Sequence, residues 1–180
     1  MSEIVKAVAA FIVRMEYRWE IGLMILSVSR RTDIPAYYSE WFMNRLKEGF
    51  VYIRNPMNTN QISKVVLNTD VVDCIVFWSK NPEPFLDKLD SIDNLGYKYY
   101  FQFTITPYSK DIETALTDKR RIVDTFSRLS DKIGREKVIW RYDPIIVNDQ
   151  FPLEFHIESF NKLANKLSDY TNEWMLYNDM

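Results

Sequence analysis

The chain has 180 residues, of which 47% are hydrophobic and 15% aromatic, enough apolar material for one sizeable core and too much for a disordered polymer. With 23 basic and 25 acidic residues the net charge is −2, so no global charge points to nucleic acid or an anionic membrane, and any charge argument must be local. A single cysteine, Cys74, excludes an internal disulfide or a cysteine-built metal site within the chain, and the reducing cytoplasm is the default compartment.

Residues 1–23 carry an apolar run only from Ala7 to Val13, broken afterwards by Arg14, Glu16, Arg18 and Glu20. That is too short to span a bilayer, and the early Glu3 spoils a signal-peptide pattern. The segment reads as an N-terminal amphipathic helix, or as an extension ahead of a start at Met24. From Met24 the chain alternates strand-like and helix-like runs. Strands are predicted at "MILSVS" (24–29), "GFVYIR" (49–54), "VVDCIVFW" (71–78), "YKYYFQFTI" (97–105) and "KVIWRY" (137–142). Between them, Ser39 can cap a helix whose apolar positions Phe42, Met43 and Leu46 precede a stop at Gly49. Asn58–Asn68 reads as a short or irregular helix and Pro84–Leu89 as another. Thr117 or Asp118 starts a longer one with Ile122, Val123, Phe126, Leu129 and Ile133 on one face, stopped by Gly134. Phe155–Tyr170 is the last, with Phe160, Leu163 and Leu167 aligned.

Five successive βα units call for parallel strands joined by right-handed crossovers. A doubly wound sheet would need strands apolar on both faces. Here Gln102, Thr104 and Thr106 alternate with Phe101, Phe103 and Ile105, while Arg141 and Asp143 share a face with Ile139. That alternation favours an α/β fold in which the five units form a partial TIM-like barrel, with residues 24–170 as the domain and 171–180 as a divergent tail. In such barrels chemistry sits at the C-terminal strand ends. The ends read "SRRTD" (29–33), "RNP" (54–56), "SKNP" (79–82), "TPY" (106–108) and "RYDP" (141–144). Any one of these cations could be a solvated rim charge or pair with Asp33 or Asp143. Recurrence at successive ends favours a mouth for an anionic small molecule, lined by Arg30, Arg31, Arg54, Asn55, Lys80, Asn81, Gln102, Thr104, Tyr108 and Arg141, with Asp33 and Asp143 as orienting or acid–base groups.

The stretches "ILSVSRRTDIPAYYSEWFMNRLKEGFVYIRNPMN", "VVDCIVFWSKNPEP", "YYFQFTITPY" and "VIWRYDPI" resemble the bacterial family called domain of unknown function 1848, from Met24 to about Tyr170. The resemblance implies an enzyme like the radical S-adenosylmethionine type, with a 4Fe–4S cluster and S-adenosylmethionine as cofactors of full-length members. The family's closing cysteine cluster is missing here: "TNEWMLYNDM" (171–180) has no cysteine and little of the β-branched character of a sixth strand. Cys74 reads as a small core residue. The expectation is therefore a truncated or frameshifted member that keeps the mouth, holds no cofactor or metal itself, and is either a marginal monomer or a homodimer through exposed edge strands. A non-catalytic binding or assembly module, and a cluster-free barrel enzyme using Asp143 as base, remain alternatives. His156, the only histidine, rules out a catalytic triad or histidine-rich zinc site and reads as a surface or helix-start residue. The dispersed glycines form no phosphate loop. The aromatic runs read as core, without a nucleic-acid or membrane partner.

Overall fold

The computed structural model describes residues 24–29, 32–55, 57–58, 60–110, 112–115 and 118–176. The expected N-terminal helix, Arg30, Arg31, Thr117 and the end of the tail lie outside the described residues. The fold is mixed α/β. Strands β1 (Ile25–Val28), β4 (Cys74–Ser79), β5 (Tyr99–Thr104), β6 (Val138–Tyr142) and β7 (Trp174–Leu176) follow one another in a five-stranded sheet that does not close, while β2 (Phe50–Arg54) and β3 (Ile62–Val66) make a separate pair. The residues fall into two compact units divided between Tyr100 and Phe101.

In the first unit β1 and β4 pair in parallel, Val28 beside Phe77. Two helices follow β1. The short α1 (Ile34–Tyr37) is capped by Asp33, and α2 (Ser39–Glu48) buries Phe42, Met43 and Leu46. Gly49 ends α2 at φ 73°, a left-handed position that suits glycine, and its N–H satisfies the Arg45 and Leu46 carbonyls. Phe77 packs between Phe42 and Phe85, with ring centroids 5.5 and 5.0 Å away. After β4 a 3-10 turn (Glu83–Lys88) runs into α3 (Leu89–Asn94).

The second strand-like run departs from the parallel scheme. β2 pairs antiparallel with β3, with Phe50 opposite Val66 and Arg54 opposite Ile62. The intervening loop is far shorter than a parallel crossover requires, and the β-branched Ile62, Val65 and Val66 favour a strand over the helix expected at Asn58–Asn68. The barrel of five consecutive parallel βα units is thereby corrected to an open sheet plus a hairpin.

In the second unit β5 from Phe101 onward, β6 and β7 are parallel, with Thr104 beside Arg141 and Arg141 beside Met175. Helix α4 (Lys119–Ile133) begins at Asp118 and buries Ile122, Phe126, Leu129 and Ile133; α5 (Leu153–Leu167) lays Phe160 on Trp140 at 4.8 Å. The divergent tail, not expected to form a sixth strand of the barrel, supplies β7. The Trp140 N–H donates to the Glu173 carbonyl at 3.1 Å, and Trp174 packs on Phe160. Tryptophan serves as well as a β-branched residue on a pleated surface. No helix of the described residues is long and apolar enough to cross a membrane.

Candidate functional site

At the strand ends of the first unit the organising group is Asp33. Its carboxylate accepts the Ala36 N–H at 3.0 Å, the Ser79 hydroxyl at 2.8 Å and the Lys80 N–H at 2.7 Å. Burial pushes its pKa up from the ordinary carboxylate value, while these donors pull it back. Ser79 Oγ in turn accepts the Asn81 N–H, and Asn81 Oδ1 accepts the Glu83 N–H that opens the 3-10 turn. Ser29, at the exit of β1, holds φ at 90°, unusual for a residue with a side chain, and its Oγ accepts the Ile34 N–H at 3.0 Å. Strand β1 is thus tied to the end of β4 by a carboxylate whose acceptor positions are taken by the protein's own chain.

The second unit builds a different arrangement. Arg141 pairs with Asp143 at 2.6 Å, their side chains 12% and 22% exposed. The Ile105 N–H donates to the Arg141 carbonyl at 3.0 Å, which carries the β5–β6 ladder to the strand end. Beyond it Thr106 is buried, and its hydroxyl has no partner among the described residues. Tyr108 is also buried; its hydroxyl donates to the Pro144 carbonyl at 2.8 Å and accepts the Ile146 N–H at 2.7 Å. Burial is the main cause raising the Tyr108 pKa; the Ile146 N–H opposes it, and the Glu113 and Asp143 carboxylates add to it. The loop after β6, which opens on the cis Asp143–Pro144 peptide, is therefore held by Tyr108.

Tyr108 also lines a cavity of about 320 Å³, with Ser109, Lys110, Glu113, Lys119 and Arg120. Both acids at this cavity are engaged. Glu113, almost fully buried, is ion-paired with Lys119, and the Asp118 carboxylate accepts the Arg120 N–H at 2.7 Å as the cap of α4. The first turn of α4 contains Lys119, Arg120 and Arg121 and no acidic residue. Cations at a helix N-terminus oppose the macrodipole; Lys119 is offset by its pairing with Glu113.

The residues expected at one mouth therefore have different surroundings. Asp33, Lys80 and Asn81 meet in the first unit, while Arg141, Asp143 and Tyr108 are gathered in the second. Thr104 and Gln102 are buried in β5, registered beside Arg141 and Ile139. Arg54 and Asn55 belong to the hairpin instead: Arg54 is exposed, and Asn55 Nδ2 donates to Gln61 Oε1 at 2.8 Å across the hairpin loop. His156 is 4% exposed, not a surface residue. Its Nε2 faces the Ile146 carbonyl and must donate, so in the neutral ring Nδ1 accepts the Tyr142 hydroxyl at 2.9 Å. Burial raises the Tyr142 pKa. Sequence reasoning passed over Lys110, Glu113, Lys119 and Arg120 because they flank a helix start rather than end a strand. The available signal was the run of cations directly after the capping Asp118.

A model of the family described as domain of unknown function DUF1848 matches residues 25–177. The chain belongs to that family. Neither the curated proteins nor the solved structures provide a match. The iron–sulfur cluster implied by the resemblance of this DUF1848 chain to radical enzymes does not fit the residues present. A 4Fe–4S cluster needs several thiolates, and the sequence holds Cys74 alone, half-buried in β4 with its thiol pKa raised by burial. Among the described residues no group of three His, Cys, Asp or Glu side chains is placed to hold a metal ion.

Proposed function

We propose that this DUF1848 chain binds an anionic small molecule in its second unit, at the cavity beside Tyr108, as the ligand-holding part of an α/β enzyme. The observation that carries the reading is the cavity itself: about 320 Å³ with Lys110, Lys119 and Arg120 on its wall and both neighbouring carboxylates already engaged by the protein. Arg120 and Lys110 supply positive charge, the opening of α4 adds backbone N–H donors, and Tyr108 fixes the wall to the loop after β6. Arg141 and Asp143 stand at the start of that loop, with Asp143 as the acid–base candidate and Arg141 as its orienting partner. Asp33 is assigned an architectural role, because its lone pairs serve Ala36, Ser79 and Lys80. The family resemblance suggests radical chemistry for related enzymes, and no step of it is routed through the residues of this chain.

Calorimetric titration of the full chain tests the reading, with inorganic phosphate, succinate and S-adenosylmethionine as probes at low and physiological salt. Saturable binding of at least one probe, weakening as salt rises, is expected. Absence of binding by all the probes, or affinity indifferent to salt, would remove the proposal.

A further inference from the structure

The hairpin of the first unit carries a feature unrelated to the anion cavity. The Leu67 N–H bonds the Gly49 carbonyl and the Asn55 N–H bonds the Gln61 carbonyl. The facing pairs Phe50–Val66, Tyr52–Lys64 and Arg54–Ile62 are therefore the non-hydrogen-bonded ones of the ladder. In such pairs the backbone N–H and C=O groups point away from the partner strand. Those of Ile62, Lys64 and Val66 consequently form the outer edge of β3, and among the described residues β2 is its one strand neighbour and no hydrogen bond takes these groups up. No residue of β3 is fully buried.

The side chains of the same three residues share one exposed face with β2. Ile62 is 57%, Tyr52 54% and Val66 41% exposed, an apolar row with Lys64 at its middle. From Gly49 to Thr69 the sequence has no acidic residue, although acids outnumber bases in the whole chain. A lysine on an edge strand ordinarily guards it against pairing. Lys64 does not stand guard: its Nζ lies over the Phe50 ring, 4.3 Å from the centroid, so the side chain leans across β2 and away from the free edge.

We infer that the free edge of β3 is a strand-addition site for a partner polypeptide bearing a carboxylate with an apolar side chain two residues to either side. A strand added there takes up the open N–H and C=O groups, and its alternate side chains fall beside Ile62, Lys64 and Val66. The exposed Lys64 ammonium then swings off the Phe50 ring to face the carboxylate, and the apolar residues extend the row. The pattern reads the same in both directions, so it fits parallel or antiparallel addition. A second copy of this chain is the poorer occupant, since pairing β3 with itself about its middle sets Lys64 against Lys64. Single-stranded nucleic acid is also poorer: the face offers two cations, Arg54 and Lys64, and the Phe50 ring is already covered.

The test is fluorescence polarisation of the full chain with a labelled ten-residue peptide centred on Val-Ser-Glu-Ser-Val. Saturable binding is expected, with amide exchange slowed at Ile62, Lys64 and Val66 and unchanged at Ser63 and Val65, which already bond β2. Lys64→Glu should weaken binding roughly tenfold, and a peptide with lysine in place of glutamate should recover it. Lys64 is exposed and loses only a surface contact with the Phe50 ring, so the melting temperature of the variant should stay near the wild-type value and report that it is folded. Lack of binding, affinity unchanged in Lys64→Glu, protection at other amides, or tighter Lys64-dependent binding of a dodecathymidine oligonucleotide would each overturn the inference.

Discussion

Both units fix the chain beyond a strand end with one buried polar side chain, and they do so in opposite ways. In the first, Asp33 collects donors from Ala36, Ser79 and Lys80, so its charge is spent on the protein's own backbone and hydroxyl groups. In the second, the uncharged Tyr108 gives one hydrogen bond and takes one, while the charges around it border a cavity. A carboxylate satisfied from all sides is suited to holding a loop and poorly placed to accept a proton from a ligand. A neutral clamp takes up none of the charge of Lys110 and Arg120 on the cavity wall. Unequal use of charge, rather than the number of charges, separates architecture from a candidate site.

That contrast can be broken most forcefully at Asp33. Asp33→Ala leaves two part-buried N–H groups and the Ser79 hydroxyl without their acceptor and removes the cap of α1, so it should destabilise the chain by about 3 kcal/mol in urea unfolding. A loss under about 1 kcal/mol would show that the carboxylate is not architectural. Tyr108→Phe removes two hydrogen bonds without opening a cavity. It should cost about 1–2 kcal/mol and leave a folded chain whose phosphate affinity drops as the loop after β6 loosens. Unchanged stability and affinity together would dissolve the proposed clamp.

Lys110→Gln with Arg120→Gln should hardly affect stability and can raise it by roughly 0.5 kcal/mol, because a cation leaves the positive end of α4. The same variant should weaken phosphate binding about tenfold, as expected for the loss of two charge-assisted contacts. A large stability loss with retained affinity would reverse the roles assigned to the two units. The smallest effect is the pH dependence at Asp33. Its folded pKa is raised, so between the ordinary carboxylate value and that raised value the native state binds more protons than the unfolded one. The proton-linked part of the Asp33 contribution is thus full below the ordinary value and is lost as pH rises through the folded one, while its hydrogen bonds as an acceptor remain. Unfolding free energy compared with Asp33→Asn should shift against the wild type over that window. The opposite slope would mean that the N–H donors outweigh burial.

Much of the strand and helix content was legible because apolar periodicity and caps are local: Asp118, Gly49 and the Ile122–Ile133 face stand where the sequence puts them. The barrel was not legible. Polar Gln102, Thr104 and Thr106 suggest a lumen, yet Gln102 and Thr104 are buried in an open sheet and Thr106 just past its end, and alternation along one strand says nothing of closure. Pairing partners are long-range facts, and only the short spacing between Arg54 and Ile62 hinted that β2 would fold back on β3. Asp33, Tyr108 and Arg141 could be singled out as strand-end groups, but which neighbours each would find depended on packing. His156 shares a helix face with Phe160 and Leu167, spacing that already pointed inward.

The most direct test of the contrast is a phosphate titration of the isotope-labelled chain followed by amide chemical shifts. Perturbations concentrated at Tyr108–Lys110, Lys119–Arg121 and the Asp143–Ile146 loop, with Ala36, Lys80 and Asn81 unmoved, are the predicted result. Shifts centred on Ala36, Lys80 and Asn81 instead would mean that the Asp33 cluster is the ligand site and that the second unit's charges are structural.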